Sequence, residues 1–178
     1  MNNLAFFILL TAGTAANVII SWHVSIKAGR YHGIYRFFSF ESILVLALLC
    51  APVWFVEPWK WNQLVSWALL LGPIPLPILG FRALHSAGHP AGDFENTARL
   101  VTVGIYRYIR HPLYASLMLL RAGIFFKEIN LLTGLAAIVN AAALIATAKT
   151  EEGEMLKKFG EEYSRYMERT TMFVPFVI

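Results

Sequence analysis

Residues 131–152 read LLTGLAAIVNAAALIATAKTEE. The stretch Leu131–Ala148 carries no charge, and Lys149, Thr150, Glu151 and Glu152 follow it at once. The hydrocarbon core of a bilayer asks for about 20 residues of apolar helix, and this segment meets that need. It also reports on the whole chain. Hydrophobic residues make up 57% and charged residues 15% of 178 residues, and the mean hydropathy is +0.57. A soluble core of this size cannot hide so much apolar surface. The expected fold is therefore all-α: a single membrane domain over residues 1–178, built as a polytopic helix bundle with short interfacial helices.

Working outward, apolar segments predict spans at Leu4–Trp22, Phe37–Phe55, Leu64–Phe81, Leu113–Phe126 and Leu131–Ala148. That is five spans: three in residues 1–81, and two in 82–178 together with a motif region and a tail. Leu113–Phe126 is short for the task, which leaves four spans as the alternative. Small residues Ala12–Ala16 follow Leu4–Leu10, as at a signal-peptide cleavage site. No Lys or Arg precedes them, however, and the apolar run continues to Trp22, so a retained helix is expected.

Basic residues set the expected orientation. Lys27, Arg30 and Arg36, then Arg82, Arg99, Arg107 and Arg110, then Lys149, Lys157, Lys158, Arg165 and Arg169 fall on one side of the spans; Lys60 and Lys127 fall on the other. The positive-inside rule places the N-terminus outside and the C-terminus in the cytoplasm. The net charge of +4 is accounted for in this way, without nucleic acid as a partner. Trp54, Trp59 and Trp61 gather where an aromatic belt belongs.

Gly72, Pro73, Pro75 and Pro77 should bend or open the third span. Gly88, Pro90 and Gly92 predict a loop, and Thr102–Ile109 a short interfacial helix. In the tail, Met155, Leu156, Phe159, Tyr163, Tyr166 and Met167 fit one helical face. Cys50, the sole cysteine, reads as a buried hydrophobe. His85 and His89 have a metal-like spacing, but Gly88 and Pro90 argue against the fixed backbone that a zinc site needs, and no metal site is expected.

Two clusters could carry chemistry. Residues 106–117 read YRYIRHPLYASL. Pro112 disfavours helix at His111 and suits the first turn of a new helix. That helix start exposes the N–H groups of Leu113, Tyr114 and Ala115, and Arg110 and His111 add positive charge, so an anion would be welcome there. The bland alternative is a set of interfacial residues with no ligand. Glu151 and Glu152 form the second cluster, on the same expected side and at the same depth; their bland alternative is a solvated helix face. A ligand carrying both signs of charge would suit the two together.

Gly104-Ile-Tyr106, Arg110-His111-Pro112-Leu113-Tyr114, a span, Glu151-Glu152, Phe159-Gly160, Tyr163, Tyr166 and Pro175 occur in that order. The arrangement resembles the isoprenylcysteine carboxyl methyltransferase superfamily, which is similar to the membrane phospholipid methyltransferases. The resemblance covers about residues 99–175. It implies S-adenosylmethionine as methyl donor, in a pocket facing the cytoplasm. It also implies that Gly104, Tyr106, Arg110, His111, Pro112, Leu113 and Tyr114 line or order that pocket, and that Glu151 and Glu152 hold the polar groups of the donor. The implied acceptor is lipophilic or lipid-linked: an isoprenylcysteine carboxylate, with a phospholipid or a small N- or S-nucleophile as alternative. Arg121, a charge inside an apolar segment, and Arg99 are candidates to orient such an acceptor; Arg121 could equally pair with Glu41 or snorkel. Sterol-type reductases share part of this pattern, but usually with RHPNY where this chain has RHPLY. A non-enzymatic membrane scaffold is the remaining alternative.

Overall fold

The structure is a computed structural model that describes residues 2–27, 29, 32–88 and 98–175. It contains seven α-helices among those residues: α1 (Asn3–Ser21), α2 (His32–Cys50), α3 (Trp61–Leu71), α4 (Pro75–Gly88), α5 (Pro112–Phe125), α6 (Leu131–Phe159) and α7 (Glu161–Arg169). Asn2 starts α1 by accepting the Ala5 N–H on its side chain at 2.8 Å, a standard way of satisfying a free helix-end donor. A π-helical stretch, Trp22–Ile26, continues α1.

Among the described residues, four helical segments are long and apolar enough to cross a bilayer: Asn3–Ile26, His32–Val53, Trp61–Gly88 and Leu131–Phe159. The expected span at Leu113–Phe126 is α5, and its 14 residues reach only about 21 Å, short of a core about 30 Å thick. The third segment is interrupted. α3 stops at Leu71 and α4 begins at Pro75, because Pro73 and Pro75 lack the N–H groups that would continue the ladder. α4 then runs as far as Gly88, seven residues past the expected end of the third span at Phe81 and into the expected loop; Pro90, Gly92 and His89 lie outside the described residues, as does Arg30.

The chain divides into two compact units, Met1–Gly72 with Met118–Thr147, and Pro73–Leu117 with Ala148–Ile178. In the first, Leu46, Cys50, Leu70 and Ile124 form the core, so Cys50 is the buried hydrophobe expected. Gly123 makes room for Leu70, since a Cβ there would sit 2.8 Å from Leu70 Cγ and 3.1 Å from its backbone nitrogen. A polar seam accompanies the apolar packing. Glu41 accepts from Thr14 Oγ1 at 2.5 Å and Asn17 Nδ2 at 3.1 Å. Asn140 Nδ2 donates to the Ser39 carbonyl at 2.8 Å. Within lipid such groups must find partners in the protein, and they hold helices together. Arg121 takes the Ala137 carbonyl at 2.9 Å; its expected partner Glu41 is engaged by Thr14 and Asn17.

In the second unit, Ala83, Val101 and Tyr106 form the core, with Leu84, Ala87 and Ile105 against it. The expected interfacial helix at Thr102–Ile109 is a shorter 3-10 turn, Gly104–Arg107. Gly104 opens it at φ +62°, a backbone conformation that suits glycine. α6 has 29 residues, or about 43 Å, so its last turns, which carry Glu151 and Glu152, exceed what a bilayer core requires. Gly160, at φ +56°, ends α6 and resets the register. The tail therefore does not present one continuous face: Tyr163 and Tyr166 are buried, while Leu156 is exposed.

Candidate functional site

The site lies in the second unit and starts from a backbone pairing. Ile109 and Thr171 form a parallel β-bridge. The Arg110 N–H donates to the Thr171 carbonyl at 2.9 Å, the His111 N–H to the Met172 carbonyl at 3.0 Å, and the Thr171 N–H to the Tyr108 carbonyl at 3.3 Å. Tyr166 adds a side-chain tie, its hydroxyl donating to the Tyr106 carbonyl at 2.7 Å. The segment 108–111 is thus held by the chain that follows α7. Pro112, buried, then opens α5.

This backbone aims three side chains at α6. Arg110 Nε donates to Glu152 Oε1 at 2.6 Å, and both side chains are more than nine-tenths buried. Arg110 Nη1 also donates to the carbonyls of Met167, at 3.2 Å, and Thr170. His111 Nε2 lies 3.3 Å from Glu152 Oε1, and His111 Nδ1 lies 3.8 Å from Glu151 Oε2. The Tyr114 hydroxyl donates to Glu151 Oε2 at 2.8 Å. The His111 ring stacks on Tyr114, with centroids 5.4 Å apart, and Phe173 stands 6.0 Å from it on a tilted plane.

Two charged clusters far apart in sequence therefore meet, as their charges suggested. They do so by neutralising each other. The guanidinium of Arg110 is directed inward to one carboxylate and two carbonyls, so its charge is compensated within the protein and does not form the exposed anion collar expected. The Ala115 N–H is also taken, by the His111 carbonyl at 2.9 Å. What remains open is acceptor capacity: among the described residues, Glu151 Oε1 and Glu152 Oε2 have no hydrogen-bond partner.

Burial pushes the Tyr106, Tyr163 and Tyr166 hydroxyls well above the usual phenol range; the charges of Glu151 and Glu152 add to this at Tyr163, and that of Glu151 at Tyr106. All three stay neutral at working pH, and Tyr166 stays a donor. Tyr166→Phe is expected to cost about 1 kcal/mol of unfolding free energy, equally at pH 7 and pH 9 by chemical denaturation. The sign follows from linkage. The unfolded chain releases these protons near pH 10 while the folded one keeps them, so stability falls as pH rises beyond about 10.

Gly104 and Tyr106 shape the site through the backbone, Gly104 by its turn and Tyr106 by its carbonyl; Pro112 and Leu113 do so by packing their side chains on Gly80, where a Cβ would lie 3.4 Å and 3.1 Å from them. Arg99 is exposed, with its N–H on the Gly88 carbonyl at 3.4 Å. Arg121 belongs to the first unit. The segment Thr170–Phe173 was not legible as part of a site, because its contribution is mainly backbone carbonyls and one N–H, which side-chain identity does not signal.

A sequence model of the family described as phospholipid methyltransferase matches residues 61–162, more than half of the chain. The chain is also 32% identical over 84 residues to protein-S-isoprenylcysteine O-methyltransferase B of Arabidopsis thaliana, a match covering 47% of this chain and 43% of that relative. It thus spans less than half the length of that relative. The matched range 61–162 takes in Arg110, His111, Tyr114, Glu151 and Glu152. The chain belongs to the phospholipid methyltransferase family.

Proposed function

We propose that this multi-pass membrane protein transfers a methyl group from S-adenosylmethionine to a lipophilic acceptor. The observation that carries the reading is the junction of Arg110, His111 and Glu152, buried, with Tyr114 and Glu151, half-buried. It fixes two adjacent carboxylates and leaves one oxygen of each free to accept. The donor carries an ammonium and ribose hydroxyls, and these are groups such oxygens take. The stacked rings of His111 and Tyr114, with Phe173 beside them, offer an apolar, polarisable wall suited to a cation. When bound, the donor supplies an electrophilic methyl on a sulfonium. The residues bind and orient, and alignment of two reactants is itself a large part of such a barrier.

Arg99 and Arg121 are assigned to the acceptor. Among the described residues, Arg121 has a buried Nε without a partner, suited to a carboxylate or phosphate. The family model favours a phospholipid as acceptor and the Arabidopsis relative favours an isoprenylcysteine carboxylate; the two differ in whether a nitrogen or an oxygen receives the methyl. We place the N-terminus outside and the site on the cytoplasmic face, in keeping with the distribution of basic residues.

A labelled-methyl assay in membranes tests the reading. Label should appear in a prenylated cysteine analogue as a base-labile ester, or in phosphatidylethanolamine as a stable amine. Label in neither, with no binding of S-adenosylmethionine by calorimetry, refutes methyl transfer. Glu151→Gln is expected to weaken donor binding about tenfold, as loss of a charged hydrogen-bond acceptor does.

A further inference from the structure

The first unit contains a second polar centre that the methyl-transfer reading does not use. Lys127, in the turn after α5, is 2% exposed. Its Nζ lies 3.7 Å from the Trp67 ring centroid and 5.6 Å from that of Trp54. It donates to Gln63 Oε1 at 3.0 Å and to the Trp54 carbonyl at 3.4 Å. Lysine is almost never buried without a carboxylate. Yet among the described residues no carboxylate lies within ion-pair distance of it. Lys127 and Gln63 line a cavity of about 300 Å³, together with Glu57, Lys60 and Glu128. Glu57 and Lys60 pair with each other. The surroundings of the cavity are apolar and aromatic at the surface: Phe55 is 77% exposed, Trp59 85% and Trp61 65%. Such rings settle at the level of lipid headgroups.

We infer that this cavity receives the phosphodiester of a membrane phospholipid, whose negative charge Lys127 compensates. A buried cation with neutral partners gains most from an anion that arrives already partly dehydrated, and a headgroup beside a tryptophan belt is such an anion. Glu128 on the same wall disfavours a second negative charge, so a monoanionic diester fits better than a dianionic phosphate. The inference does not depend on methyl transfer and would stand if that failed.

Lipid retention by native mass spectrometry, on the full chain released from detergent, tests it. The probes are phosphatidylglycerol, phosphatidylcholine and a phosphate-free diacyl glycolipid with the same acyl chains. Both phospholipids should be retained more than the glycolipid. Lys127→Met should reduce phosphatidylglycerol retention about tenfold, the scale of one charge-assisted hydrogen bond, and Lys127→Arg should largely preserve it. Should Lys127→Met fail to fold, Gln63→Glu puts a carboxylate on the ammonium and should weaken retention likewise. Equal retention of glycolipid and phospholipid, or unchanged retention in both the Met and the Glu variants, overturns the proposal. So does full displacement of lipid by millimolar soluble glycerophosphate, which would make the site one for a free phosphate ester.

Discussion

Replacing Glu152 by alanine should destabilise the protein by about 3–5 kcal/mol, the usual cost of stranding one member of a buried ion pair. Arg110 is the reason. Its side chain is 9% exposed and that of Glu152 is 8% exposed, so water cannot replace the lost carboxylate. The carbonyls of Met167 and Thr170 solvate the guanidinium but do not neutralise it. Arg110→Met should cost less than Glu152→Ala, because His111 still faces the remaining carboxylate at 3.3 Å. The double variant Arg110→Met/Glu152→Ala should recover much of the loss, since no charge is then left buried without its partner. A double-mutant cycle by equilibrium unfolding in mixed micelles measures the coupling. Additive losses would show that the pair contributes little, and would remove the junction on which the proposed donor site rests. Donor affinity gives an independent readout: both single variants should lose it, and the stabilised double variant should not regain it.

The second large effect is expected at Gly33. A Cβ built there would stand 2.3 Å from Ser25 Cβ and 3.0 Å from its Oγ. Neither Gly33 nor Ser25 can move aside into solvent, since both are buried, and Ser25 is also bound by the Arg36 guanidinium. Gly33→Leu should therefore cost about 3 kcal/mol, at the upper end of overpacking penalties, with Gly33→Ala smaller. Thermal melting in detergent reads both. Gly13 makes the useful contrast. Its nearest neighbours are the Leu44 Cδ atoms, the far end of a flexible side chain, so Gly13→Ala should be milder despite a similar clash.

The sequence shows how much of this could be read and where reading stopped. Apolar length marked every long helix, because lipid leaves the backbone no alternative to helix. It also marked α5, whose 14 residues are short for a span, without deciding between five spans and four. Pro112 announced the helix start, and opposite charges announced that Arg110–His111 would meet Glu151–Glu152. The direction of the Arg110 charge was not legible. A motif shows which residues share a place, not whether an arginine turns outward to a ligand or inward to carbonyls at Met167 and Thr170. The sequence places Lys127 only among the basic residues of the opposite side, because nothing in its neighbours along the chain signals Trp67 or Gln63. Those partners come from a different helix.

The pairing of Ile109 with Thr171 has a consequence for biogenesis. Arg110 and the Thr170 carbonyl it binds are 60 positions apart. While the segment carrying Arg110 has left the translocon and the end of α6 has not, the Arg110 guanidinium has neither Glu152 nor that carbonyl. A nascent chain must therefore carry an uncompensated cation until Glu152 has emerged, and a guanidinium without its carbonyl partners until Thr170 has. Insertion intermediates halted before that point should be the species most exposed to quality control, and long-range closure of this kind is the slow step that topology imposes.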